Sequence, residues 1–301
     1  MDATLLKNCQ EHTPLPWIYV RGLLRRRTGL RENEQLPVLK LEQLRVQTDK
    51  KHLGKYLKAC GLSPGPSLPV LYPLMVTFPL HMRILTHPAF PLKYVNMLQL
   101  RNHVVQYRSI GIHESMDAMC EILNRRNVMK GLEFDLYTAF SSDGEILWEN
   151  INTYFFPGSY GEPAAALPRV SFEPVTKDAP AMTWIMPAKG GFRFALISGD
   201  YNGIHYFAPY ARMFGFKRDF AHGQFSVLKC LEHLPEISGD YPVRIDVALK
   251  GPVYYSSEVV MKYNPCLTGY RFDLYCGDMK RPCILGSIRN VEKGSGLISD
   301  F

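Results

Sequence analysis

Two stretches of the chain alternate apolar and polar residues with the period of β-strands, and each follows an apolar helical stretch. In the first, strands are predicted over 98–107, around 115–125, and over 132–140 and 145–155. In the second they are predicted over 243–249, 253–263, 270–276 and 283–291. The longest apolar run, 68–80, is too short for a bilayer span and is broken by Pro69, Pro73 and Pro79. Residues 206–216 carry Tyr206, Phe207, Ala208, Tyr210, Ala211, Met213, Phe214 and Phe216, which leaves almost no polar face. That pattern predicts a helix starting just after His205, stopped by Gly215 and buried beneath its sheet. Near the start, Trp17, Ile18, Val20, Leu23 and Leu24 are interleaved with Arg21, Arg25, Arg26, Arg27 and Arg31. The expectation there is an amphipathic helix packed on the domain with a solvated basic face, the alternatives being a surface for nucleic acid, anionic lipid or an acidic partner.

An internal repeat ties the two strand sets together. Gly131-Leu132-Glu133-Phe134-Asp135-Leu136-Tyr137 returns as Gly269-Tyr270-Arg271-Phe272-Asp273-Leu274-Tyr275, identical at five of seven positions. A looser parallel sets Pro79 through Phe90 beside Pro209 through Phe220. The fold class read from this is α+β: two copies of an antiparallel sheet packed on a helix. The expected organisation is a basic helical extension over 1–60, a first repeat over 61–160, a Pro- and Ala-rich linker over 161–180, and a second repeat over 181–301.

Composition narrows the class. Of 301 residues, 46% are hydrophobic and 21% charged, which excludes a disordered chain. The net charge of +7 is concentrated at the start, where residues 1–60 hold 12 Lys and Arg against 6 Asp and Glu. Seven cysteines are scattered without a Cys-x-x-Cys pair, so neither a zinc knuckle nor a redox motif is indicated. Met1 to Gln10 lacks the basic-then-apolar order of a secretory leader, and a reducing cytoplasm is the expected location.

The chemistry is concentrated in Phe194-Ala195-Leu196-Ile197-Ser198-Gly199-Asp200-Tyr201-Asn202-Gly203-Ile204-His205. Asp200 and His205 are too far apart in sequence to be helix neighbours, so they converge only across a tight loop, and Asn202-Gly203 is a turn dipeptide. This reading places a carboxylate at a strand end and an imidazole at the mouth of the buried helix, a pair able to hold a water and move its protons. The string Ile-Ser-Gly-Asp-Tyr recurs at 237–241 without the Asn and His, so the five letters alone carry little.

In the full segment, with Ala211 beyond it and Ala221-His222-Gly223 after that, the chain resembles the MaoC-like family of (R)-specific enoyl-CoA hydratases and (3R)-hydroxyacyl-thioester dehydratases. The resemblance implies a double hotdog, each sheet wrapped around a central helix, acting on a thioester of CoA or acyl carrier protein. It implies that Asp200 and His205 bind the water that adds to a trans-2-enoyl thioester. The Gly223 N–H would meet the thioester oxygen, Asn202 would hold the loop, and Ser198 and His222 would help form the binding site. Gly203 departs from the family pattern, which has Pro there. That departure is the one feature favouring an alternative, an inactive acyl-thioester-binding or scaffolding subunit of the same fold.

An ungapped alignment of the copies offers no Asp-x4-His in the first, so one active site is expected per chain. No metal or nucleotide cofactor is expected, because no second His or carboxylate stands at ligand spacing and no phosphate-loop motif occurs. The expected partner is the acyl thioester, with no nucleic acid and no membrane span, and a homodimer is a candidate assembly.

Overall fold

The computed structural model describes residues 4–6, 14–164, 170–235, 241–292, 294 and 296–298. Cys9, most of Met1 to Gln10, part of the linker and the second Ile-Ser-Gly-Asp string therefore lie outside the described residues. The chain forms two compact units. The first comprises Met1–Thr48, Ser67–Val170 and Gly294–Phe301, and the second Asp49–Pro66 and Ser171–Lys293.

In the first unit, β1 (Thr4–Leu6) and α1 (Leu15–Leu24) precede β2 (Leu39–Val46), and β1 runs parallel to β2. The chain leaves for α2 (Lys50–Cys60), which belongs to the second unit, and returns as α3 (Tyr72–Thr86). Four long strands follow: β3 (Leu98–Gln106), β4 (Met116–Val128), β5 (Gly131–Ser142) and β6 (Glu145–Pro157). The sheet order is β1-β2-β4-β5-β6-β3. Its inner face turns toward α3, where Phe90 packs on Phe134 at 5.7 Å and His81 Nε2 meets Thr138 Oγ1 at 2.8 Å. The run too short for a membrane span supplies much of this buried helix, and among the described residues no helix is long and apolar enough to cross one. On the outer face, Val105, Tyr137, Ala139 and Ile151 are covered by Leu297, whose N–H donates to Glu149 at 2.6 Å.

The second unit runs β7 (Ala181–Ile185), α4 (Gly191–Ser198), α5 (Ala208–Met213) and α6 (Gly223–His233). It then forms β8 (Val243–Leu249), β9 (Glu258–Cys266), β10 (Gly269–Cys276) and β11 (Ile284–Asn290). Its sheet order, β7-β9-β10-β11-β8, repeats that of β2-β4-β5-β6-β3. The repeated heptapeptides are therefore equivalent inner strands, β5 and β10. Their shared glycine has a physical cause, since a Cβ on Gly131 would strike the carbonyl of Phe156 and one on Gly269 that of Ile288.

Four expectations need correction. The counterpart of α3 is α6, which directly precedes the strands, so the Pro79–Pro209 parallel and the ungapped alignment built on it fail. The helix expected over 206–216 shrinks to the six residues of α5, with only Ala211 buried and Phe207 and Met213 55% and 80% exposed. Phe207 is extended, so the helix starts only at Ala208 with Pro209 in its first turn, and six residues are too short for a core helix. Residues 194–198 are helical, with Phe194, Ala195, Ile197 and Ser198 inward. The carboxylate thus follows a helix end, not a strand end. Finally, α1 buries only Ile18, Tyr19 and Gly22, leaving Trp17, Val20, Leu23 and Leu24 exposed instead of inward.

Candidate active site

Helix α4 stops at Gly199, which adopts the left-handed conformation (φ 76°) and donates its N–H to the carbonyl of Ala195. The loop beyond is fixed by its own polar side chains. Ser198 Oγ accepts from the Asp200 N–H at 3.2 Å, and Asp200 Oδ1 accepts from the Asn202 N–H at 3.1 Å. Asn202 Oδ1 in turn accepts from the Ile204 N–H at 3.3 Å, capping a single 3-10 turn over Gly203–His205. These bonds bring the His205 Nε2 to 3.8 Å from Asp200 Oδ2. That gap is too wide for a direct hydrogen bond.

The other face of His205 is equally constrained. Its Nδ1 lies 3.0 Å from the carbonyl of Phe220, which can only accept. The ring therefore carries its proton on Nδ1 and presents a bare Nε2 toward Asp200. His205 is 8% exposed, and burial holds its pKa below the ordinary histidine value against the raising effects of Asp200 and the Phe220 bond. His222 stacks on His205 with ring centres 3.9 Å apart. Its Nε2 is 3.1 Å from the Asp200 carbonyl, and burial followed by the neighbouring His205 holds it well below its ordinary value.

His222 caps the start of α6, whose first residue is Gly223. The Gly223 N–H belongs to the first turn, which has no partner within the helix, so it is available to an oxygen at the positive end of the helix dipole. A Cβ at Gly223 would meet Leu249 Cδ1 at 2.6 Å. The segment before it is held by backbone bonds from Phe220 to Ile204 (3.3 Å) and from Ala221 to Val253 (2.9 Å). This is why 253–257 are not strand as expected: Val253 and Tyr254 pair with the 220–221 segment, and β9 begins only at Glu258.

Asp200, Asn202, His205, His222 and Ser198 thus surround one loop. Ser198 and Asn202 spend their side-chain oxygens on the loop itself. One contributor was not read from the sequence, and one that was read there has a further role. Gly191 lies against His205, and any Cβ there would collide with the His205 carbonyl. His222 stands far from Asp200 in sequence, yet a ligand atom from each of Asp200, His205 and His222 lies within 4.8 Å of the others. The expectation that no second histidine stands at ligand spacing is corrected accordingly, since His222 completes a donor set of the kind that can hold a cation. Gly203 is explained by its neighbour, for a Cβ there would sit 2.9 Å from the ring of Tyr210.

No protein-family profile matches the chain. It is 28% identical over 238 residues, 78% of its length, to 3-hydroxyacyl-thioester dehydratase X of Mycobacterium tuberculosis, of which it covers 84%. The crystal structure of HtdX from that organism superposes with a TM-score of 0.70 at 23% identity, covering 84% of this chain and all of the other. A MaoC-like dehydratase from Phytophthora capsici superposes with a TM-score of 0.69 at 16% identity, covering 87% and 97% of the two chains. The repeated sheet order, each with its helix, and these superpositions define a double-hotdog protein. In sequence as well as fold, this one resembles the MaoC-like 3-hydroxyacyl-thioester dehydratases.

Proposed function

We propose that this protein catalyses reversible hydration of a trans-2-enoyl thioester to the (3R)-3-hydroxyacyl thioester, with Asp200 and His205 as the catalytic pair. The observation that carries the reading is the 3.8 Å separation of Asp200 Oδ2 from a bare, buried His205 Nε2. A water fits between them as hydrogen-bond donor to both. In the hydration direction that water adds to C3 and gives up a proton to the pair. Negative charge develops on the thioester oxygen, where the Gly223 N–H stabilises it, and the proton is returned to C2. Removing one such donor in other enzymes costs about 2.7–4 kcal/mol of barrier. Asn202 and Ser198 hold the Asp200 loop, and His222 holds the Asp200 carbonyl and the face of His205.

The inactive-subunit alternative rested on Gly203. The loop is nevertheless closed by its Asn202 cap, and the ring of Tyr210 occupies the space beside Gly203. The substrate is proposed to be a CoA or carrier-protein thioester. The six described cysteines are all free, which supports the proposed reducing, cytoplasmic location, and a homodimer is the proposed assembly. The test is loss of the enoyl-thioester absorbance with trans-2-enoyl-CoA and carrier-protein substrates, followed by chiral analysis. Wild type is expected to give the (R)-alcohol, and Asp200→Asn and His205→Ala to lose about 10²–10⁴-fold in kcat. Equal activity in the variants would refute the assignment.

A further inference from the structure

Helix α1 takes no part in the site, yet its orientation is firmly set. Gly22 lies against α3, where a Cβ would be 2.6 Å from Thr86 Cγ2. Tyr19 meets Tyr94 edge-on at 5.4 Å, and the Tyr94 hydroxyl donates to the Tyr19 carbonyl at 3.2 Å. Arg27 is committed as well, donating to the carbonyls of Thr86, His87 and Phe90 around the end of α3. With that face fixed inward, Trp17, Val20, Arg21 and Leu24 form one outward stripe at helical spacing. Trp17 is 61% and Leu24 80% exposed, and Leu23 flanks them. Arg25 and Arg26 follow directly beyond the end of the helix, and no acidic residue occurs between positions 14 and 31.

We propose that this face docks on an anionic phospholipid bilayer. The apolar side chains form a ridge on a convex helix, a shape that enters a fluid interface. Trp17 has the amphipathic ring favoured at the headgroup level, and the adjoining arginines match anionic headgroups. An acidic peptide would satisfy the arginines and leave Trp17 and Leu24 in water. A second copy of the chain, meeting the same patch through a two-fold axis, would bring arginines against arginines.

The full-length protein is floated with phosphatidylcholine vesicles, with and without phosphatidylserine. Recovery with the anionic vesicles alone, diminished by salt, is expected. Partitioning is expected to fall about fivefold for each arginine removed in Arg21→Gln, Arg25→Gln and Arg26→Gln. It is also expected to fall in Trp17→Ser/Leu24→Ser, with hydration of a soluble thioester unchanged in all of these variants. Independently of folding in any variant, brominated anionic lipid is expected to quench a fluorescence component present in wild type and missing in Trp17→Phe. Three outcomes would overturn the proposal: no flotation, recovery indifferent to phosphatidylserine and to the arginines, or a dimer that Trp17→Ser/Leu24→Ser splits.

Discussion

His205 is prepared as a base by two opposed influences. Burial withdraws the ring from water and disfavours the imidazolium, while the Phe220 carbonyl and the Asp200 charge favour it, and burial prevails. A histidine with a lowered pKa stays neutral further into acid, so a reaction that needs its bare Nε2 also persists further into acid. Activity is lost only as pH falls through the lowered value. The acidic limb of kcat/KM is therefore expected below pH about 6.5, the ordinary histidine value. A limb centred above that value would contradict His205 as the base. The proton on Nδ1 is assigned by the Phe220 carbonyl, a partner that no sequence motif names.

Among the elements, the loop between α4 and α5 shows how a departure from a family pattern is accommodated. Asn202 already has the extended backbone (φ −67°, ψ 118°) that a residue before proline adopts, so the obstacle to a proline in place of Gly203 is the Tyr210 ring. Gly203→Pro alone is expected to cost about 1–3 kcal/mol of stability through overpacking. Combined with Tyr210→Ala it is expected to cost less than the sum of the single changes, as a double-mutant cycle of urea unfolding would show. The strands were the most legible elements, because each carries short runs of alternating or β-branched and aromatic residues bounded by glycine or polar turns. The helices were less so. The stretch around α5 is almost wholly apolar, yet only Ala211, Tyr210 and Phe216 pack on Ile204 and Phe220, a local cluster that mimics a core pattern. In α4 the inward spacing of Phe194, Ala195 and Ile197 was hidden by the continuous run Phe194–Ile197. The pair Asp200 and His205 was legible because their chemistry depends on a short loop. His222 was legible only through the Ala221-His222-Gly223 match, and its stacking on His205 and the place of Gly191 were not, because only the fold brings them near.

For the whole molecule, the two units are not two consecutive lengths of chain. Residues 49–66 leave the first half to join the second unit, where His52 Nε2 lies 2.7 Å from the carbonyl of Ile197. Gly294–Phe301 returns to the first, where Leu297 is fully buried. Leu297→Ala is expected to destabilise the protein by about 2–5 kcal/mol, read from the urea midpoint, although the residue lies near the end of the sequence. A midpoint within error of wild type would show that this seal is dispensable. The interleaving also bears on biosynthesis. As the chain emerges from the ribosome, the outer face of the first sheet stays uncovered until the second unit has been synthesised, and α2 must wait for α4 and α6. A gene divided near residue 170 would leave each fragment holding a segment that belongs to the other, so complementation from two polypeptides would require an exchange of α2 for the segment around Leu297 at every encounter.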